Sequence, residues 1–219
     1  MHHPKDSEVF SSAPKLHHWM SSRILRGAMR YKPEHKAEVH RKIVEDASRR
    51  VRSEGMSGAA VAAVMRDTGL THGGFYKHFE SKDELLLESL HQAFREISDT
   101  LVAAAKRSPG DAAWKAIVKT YLAPESCERP ERGCPLPVLA PELARAGKHM
   151  RSRIVAELVE YKGKMLPFMP GERTEDKERA FFAIFSTMIG AIEIARILPD
   201  RTVREHVLAS TREFLLHSF

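Results

Sequence analysis

Cysteine is scarce in this chain: Cys127 and Cys134 are the two among 219 residues. Two thiols are too few to staple a chain of this length, so a disulfide scaffold is excluded and the reducing cytoplasm is the expected location. Long apolar runs are missing too. None approaches the ~20 residues a helix needs to cross a bilayer, so no membrane association is expected. The first residues are charged and polar, without the apolar core of a secretory signal. No single sign of charge dominates either. The net charge is +6, yet residues 29–91 hold 11 basic and 10 acidic side chains. That balance means charge by itself does not mark the segment as a nucleic-acid binder. The length allows one large domain or two modest ones.

The most informative stretch is residues 69–85, Gly-Leu-Thr-His-Gly-Gly-Phe-Tyr-Lys-His-Phe-Glu-Ser-Lys-Asp-Glu-Leu. Gly69 suits the left-handed conformation that ends a helix. Thr71 reads as the N-cap of a short helix over residues 72–79. Phe75 and Phe79 are four apart, so they share a face and bury together. Tyr76 is then turned outward. Ser81 caps a new helix, and Glu84 three positions later completes a capping box. A helix, a glycine turn and a short second helix with basic and aromatic groups outside is the pattern of a helix-turn-helix reader of DNA.

These residues resemble the DNA-binding signature of TetR/AcrR-family transcriptional regulators. The agreeing positions are Gly69, Leu70, Thr71, Gly73, Phe75, Tyr76, His78, Phe79, Ser81, Lys82 and Leu85. Met65 and Thr68 stand where the family usually has small residues. The resemblance implies an all-α fold. A three-helix helix-turn-helix domain over residues 33–81 would be followed by a larger helical ligand-binding and dimerisation domain over 82–219. It also implies an operator of double-stranded DNA, a small-molecule inducer, and a homodimer built on the last two helices. Such a protein is no enzyme, needs no cofactor or metal, and acts most often as a repressor. Met29-Arg30-Tyr31-Lys32 resembles the usual start of such regulators, so residues 1–32 read as a disordered extension. His2-His3 and His17-His18 within it admit a metal-binding reading, against the blander one of a solvated tail.

Helical periodicity follows on both sides of the motif. Val39, Ile43, Ala47 and Val51 give one stripe from Pro33 to Glu54. A second helix is expected from Ser57, its cap, to Thr68. Leu86, Leu90, Phe94, Ile97 and Leu101 extend a long helix to about Arg107. Helices are also expected from Asp111, around 136–146, and over 148–168, 174–198 and 202–217. The proline-rich segment from Pro124 to Pro137 interrupts them and is expected to leave space. The candidate DNA contacts are His40, Arg41, Ser57, Thr71, His72, Gly73, Gly74, Tyr76, Lys77, His78 and Lys82. Gly73 and Gly74 let backbone approach the duplex. Tyr76 offers a hydroxyl to a phosphate. Lys82 is a cation at an unfavourable helix start, which makes sense opposite a phosphate. His40 and Arg41 lie either beside a phosphate or on a plain solvated face.

Trp114, Tyr121, Cys134, Leu136, His149, Tyr161 and Met188 are candidate linings of a ligand cavity, against the alternative of ordinary core. Cys134 heads a helix, and Arg129 and Arg132 are close in sequence. That favours thiolate and admits a second reading, a regulator sensing thiol reagents or electrophiles. Cys134 with His149 as a catalytic pair lacks a third group. A helical interaction module without DNA binding is a further alternative.

Overall fold

The stripe Val39, Ile43, Ala47 and Val51 folds as α1, Pro33–Glu54, in the computed structural model, which describes residues 33–219. Ile43, Ala47 and Val51 are fully buried, as a four-residue repeat on one helix face requires. The chain then makes a 3-10 turn over Gly55–Ala59 before entering α2, Val61–Asp67. This corrects the expectation of a helix starting at Ser57. The Ser57 hydroxyl donates back to the Glu54 carbonyl at 2.8 Å, and Ala60 precedes α2 without a side-chain cap. The cause is close packing at Gly58, where a Cβ would stand 2.6 Å from the Arg50 carbonyl oxygen. Arg50 fixes the turn there. Its Nε donates to Gly58 O at 3.1 Å, its Nη1 to Asp67 at 2.6 Å and its Nη2 to Glu54 at 2.8 Å.

α2 ends in a Schellman motif. Gly69 has φ +73°, the Leu70 amide donates to Met65 O at 2.7 Å and the Gly69 amide to Arg66 O at 3.0 Å. Leu70 folds back onto the cluster that contains Met65, the apolar contact that accompanies such an ending. α3 is His72–Phe75, one turn rather than the two expected. The coil continues through hydrogen bonds from the His78 and Phe79 amides to Phe75 O, at 2.9 and 3.0 Å. Thr71 holds the cap position in extended backbone, but its hydroxyl accepts no amide. Ser81 does cap α4, Lys82–Lys106, by accepting from the Glu84 amide at 3.1 Å. Glu84 reaches back one residue further than the expected box, to the Glu80 amide.

Beyond α4 lie α5 (Ala112–Tyr121), α6 (Glu125–Glu128), α7 (Leu136–Ala144), α8 (Lys148–Met165), α9 (Thr174–Ile197) and α10 (Arg201–Ser218). No strand occurs among the described residues, so the fold is all-α as expected. The segment from Pro124 to Pro137 is filled rather than open. It forms α6 and a 3-10 turn over Pro130–Arg132, and Cys127 and Cys134 are buried. The reading of residues 1–32 as a disordered extension, and of their histidines as metal ligands, lies outside the described residues.

Three apolar clusters hold the fold together. The head cluster joins Ile43, Ala47, Val64, Met65, Phe75 and Phe79. A seam cluster ties α1 and the 3-10 turn to α4, α7 and α8 through Val51, Ala59, Leu90, Leu139, Met150 and Ile154. The largest fills the body between α4, α5, α8, α9 and α10. Arg52 crosses the seam almost fully buried, its Nη2 on Glu96 at 2.6 Å and its Nε on Ser48 O at 3.0 Å. Against the expectation of no membrane-length apolar run, α9 is long and apolar enough by length and composition to cross a membrane. Glu193 and Arg196 break its run in the sequence, and 44% of its most apolar window is buried inside the fold.

Candidate nucleic-acid interface

The head presents one face made by α3 and the turns around it. Phe75 and Phe79 occupy its inner side, stacked at 5.4 Å. That leaves the alternating positions outside: Tyr76 is 68% exposed, and Gly73, Lys77 and Lys82 are exposed beside it. Tyr76 is held edge-on against Phe75 at 5.2 Å, so its hydroxyl projects from a ring that packing orients. The two glycines differ. A Cβ on Gly73 would meet nothing within 4 Å, whereas one on Gly74 would touch Met65 Cε and Thr71 Oγ1, both at 3.6 Å. Of the two, Gly73 therefore faces open space. His72 is the first residue of α3.

The histidines and Arg41 are more engaged than the sequence suggests. His40 turns inward: its Nε2 meets Glu88 of α4 at 2.7 Å and its ring stacks on Phe79 at 4.5 Å. It ties α1 to α4 rather than standing on the outer face. His78 is half-buried, 6.1 Å from the His40 ring. Burial lowers its pKa from the usual 6.5, and the charges of His40, Lys36 and Lys77 push the same way. Arg41 is exposed and paired with Glu45 at 2.7 Å. Ser57 and Thr71 are exposed, with the bonding described above.

Of the candidate ligand residues, Trp114, Tyr121, Cys134, Tyr161 and Met188 share the body core, with Leu136 packed against it. His149 is not among them. It is exposed and lines a separate polar groove of about 760 Å³ with His40, Glu88, His91 and Glu157. Beside it His91 and Glu157 meet Glu160, one ligand atom of each lying within 4.8 Å of the others, but Glu160 already pairs with Lys164 at 2.7 Å. Cys134 also departs from expectation. Burial pushes its thiol up, and this outweighs the lowering by Tyr121, the Leu136 amide and Arg196. Arg129 and Arg132 are both exposed, and the arginines whose charge acts on the thiol are Arg196 of α9 and Arg52 of α1; sequence reasoning passed over Arg196. Its signal was available: Glu193 and Arg196 are the two charges in the otherwise uncharged run from Ala180 to Ile197.

The comparisons agree with this geometry. Residues 43–89 match the family model described as bacterial regulatory proteins, tetR family. HTH-type transcriptional regulators of Mycobacterium tuberculosis and Mycobacterium bovis are 30% identical over 74 residues. That match covers 34% of this chain and about a third, 32%, of those relatives. A TetR transcriptional regulator from Chloroflexus aurantiacus superposes with a TM-score of 0.67 at 25% identity, over 84% of this chain and 96% of that one. A TetR-family regulator from Streptomyces coelicolor superposes with a TM-score of 0.64 at 22% identity, over 82% and 89% of the two chains. Residues 43–89 thus match the helix-turn-helix domain of the tetR family in sequence, and the helices beyond them are similar in fold to TetR-family transcriptional regulators.

Proposed function

We propose that the chain works in the cytoplasm as a homodimeric, ligand-responsive repressor and not as an enzyme. α3 would enter the major groove of an operator, with Gly73 against the duplex and Lys77 at base edges or phosphate. Tyr76 and Lys82 would hold phosphates that set the register. The observation that carries this is the outer face of the head, where Gly73, Tyr76, Lys77 and Lys82 are exposed together behind a fully buried Phe75–Phe79 pair. His72 belongs to the same proposed contact set, and Arg41, Ser57, Thr71 and His78 to its margin. His40 acts in this reading through its neighbours, by fixing α1 against α4.

The dimer reading is supported by what the body leaves uncovered. Phe182, Ile194 and Ile197 on α9 and Val203 and Phe214 on α10 are exposed, an apolar excess that a second copy would cover. A two-fold pair would present two reading heads to half-sites about 34 Å apart or at longer spacing. Sensing by Cys134 is the weaker alternative, because a buried, protonated thiol is a poor nucleophile. The test is a mobility-shift titration on DNA flanking the gene, comparing wild type with Tyr76→Phe and Lys82→Ala. Tight, salt-dependent binding that both changes weaken is the expected result. A folded dimer that shifts neither this DNA nor fragments selected from the whole genome would refute it.

A further inference from the structure

Residues 125–144 join the head to the helix that carries much of the proposed dimer face. At one end Arg196 of α9 donates Nη2 to the Ser126 carbonyl at 2.7 Å, and a Cβ on Gly133 would stand 3.5 Å from the same nitrogen. Arg196 lies in the same turn of α9 as the exposed Ile194 and Ile197. At the other end the 3-10 turn Pro130–Arg132 and α7 both pack against α1. Leu139 and Leu143 of α7 are buried in the seam cluster with Val51. Glu142, three positions after Leu139, lies on that same face of α7.

There Glu142 meets backbone. Gly55 follows α1 at φ +74°, and the next amide, that of Met56, donates to Glu142 Oε2 at 2.8 Å. A Cβ on Gly55 would overlap Oε1 of the same carboxylate and stand 3.2 Å from its carboxyl carbon. Glycine therefore serves twice here, for the left-handed backbone and for the close approach. The bond spans 86 positions of sequence, and as an amide-to-carboxylate bond it is charge-assisted and directional. The apolar contacts of the seam hold two surfaces together but are non-directional. The bonds from His40 and Arg52 run to α4, the helix that continues the head itself. We propose that Glu142 is a positioning residue for operator binding: by holding the Met56 amide it fixes the angle of the head on the body, and with it the spacing at which a pair of heads meets DNA. This rests on the homodimeric DNA-binding reading above and names a residue that sets its geometry. Gly55 is its counterpart on the head, and Arg196 anchors the same segment to α9.

The test compares the full chain as wild type, Glu142→Ala and Glu142→Gln, the last of which keeps an oxygen able to accept the amide. The first readout needs no DNA. Hydrogen exchange at the Met56 amide is expected to be about 10-fold faster in Glu142→Ala, the size of one charged hydrogen bond, and close to wild type in Glu142→Gln. The second readout is affinity for three DNAs: an operator selected from genomic fragments, that operator with a base pair inserted between its half-sites, and a single half-site. Wild type is expected to prefer the native spacing. Glu142→Ala is expected to lose about 10-fold of that preference with its half-site affinity unchanged, and Glu142→Gln to restore it. Gly55→Ala is expected to reproduce the loss, and to add little to it in the Glu142→Ala background, where the carboxylate it displaces is already gone. Unchanged Met56 exchange in Glu142→Ala overturns the proposal. So does a wild type indifferent to spacing, a preference that survives Glu142→Ala, a loss that Glu142→Gln fails to restore, or a parallel fall on all three DNAs, which a destabilised head would give. A wild type that shifts no DNA refutes the reading this rests on, and the proposal with it, but leaves the Met56 amide protected, so the two failures are distinguishable.

Discussion

The head and the body of this chain both leave surface that a finished monomer would not, and they leave opposite kinds. Across α3 the head exposes Tyr76, Lys77 and Lys82 over a sealed aromatic pair. Along α9 and α10 the body exposes Phe182, Ile194, Ile197 and Phe214 over a core of its own. A charged and hydroxylated face fits a polyanion; an apolar face fits another apolar face. The contrast teaches that exposure has to be read by chemistry. In the function proposed above, the same degree of exposure serves phosphate in one region and a second copy of the chain in the other.

The largest effect is expected where the head is sealed. Phe79→Ala removes a stacked ring that also carries His40, and should cost about 3–5 kcal/mol. Urea unfolding should show the loss, and DNA binding should disappear with it. If the body's near-ultraviolet signal and dimerisation survive, the two regions are separable. Next is the seam. Arg52→Ala removes a buried guanidinium bonded to Glu96 and Ser48. About 2 kcal/mol is expected from the charged hydrogen bonds alone, read as a lower denaturation midpoint. On the apolar face, Ile197→Asp should shift a sedimenting dimer to monomer while circular dichroism stays helical. An unchanged dimer would move the interface elsewhere.

On the polar face the signature is reversed. Lys82→Ala should change stability by less than about 0.5 kcal/mol, as an exposed site does. It should still weaken operator binding and reduce the salt slope by about one. The smallest effect is the His78 titration. Its pKa is lowered in the fold, so the unfolded chain binds the proton more readily. The contribution is fully present above the unfolded value of about 6.5 and is lost as pH falls through the lower folded value. Stability of wild type should therefore drop on acidification below about pH 6.5, and His78→Gln should flatten that slope.

Legibility followed the range of the interactions. Gly69, Ser81 and the Phe75–Phe79 pair read correctly, because each acts on neighbours within four or five positions. Ser57 and Thr71 misled because a capping residue type was present where the backbone gave it no amide to accept. At Ser57 the reason is tertiary: Gly58 lets the turn press onto α1, and the helix starts later. His149 was grouped with the cavity on residue type alone, whereas α8 turns it toward another groove.

By itself the sequence determined the all-α class, the helix positions to within a few residues and the family of the reading head, because periodicity, caps and the motif are local codes. Only the tertiary structure decided that His40 turns to Glu88, 48 positions away, and that Arg196 reaches Ser126, 70 positions away. It alone set the Cys134 thiol upward by burial rather than downward by a helix start. Those outcomes depend on which distant elements are brought into contact and on the water they exclude, and neither is written in the residues that lie next to them.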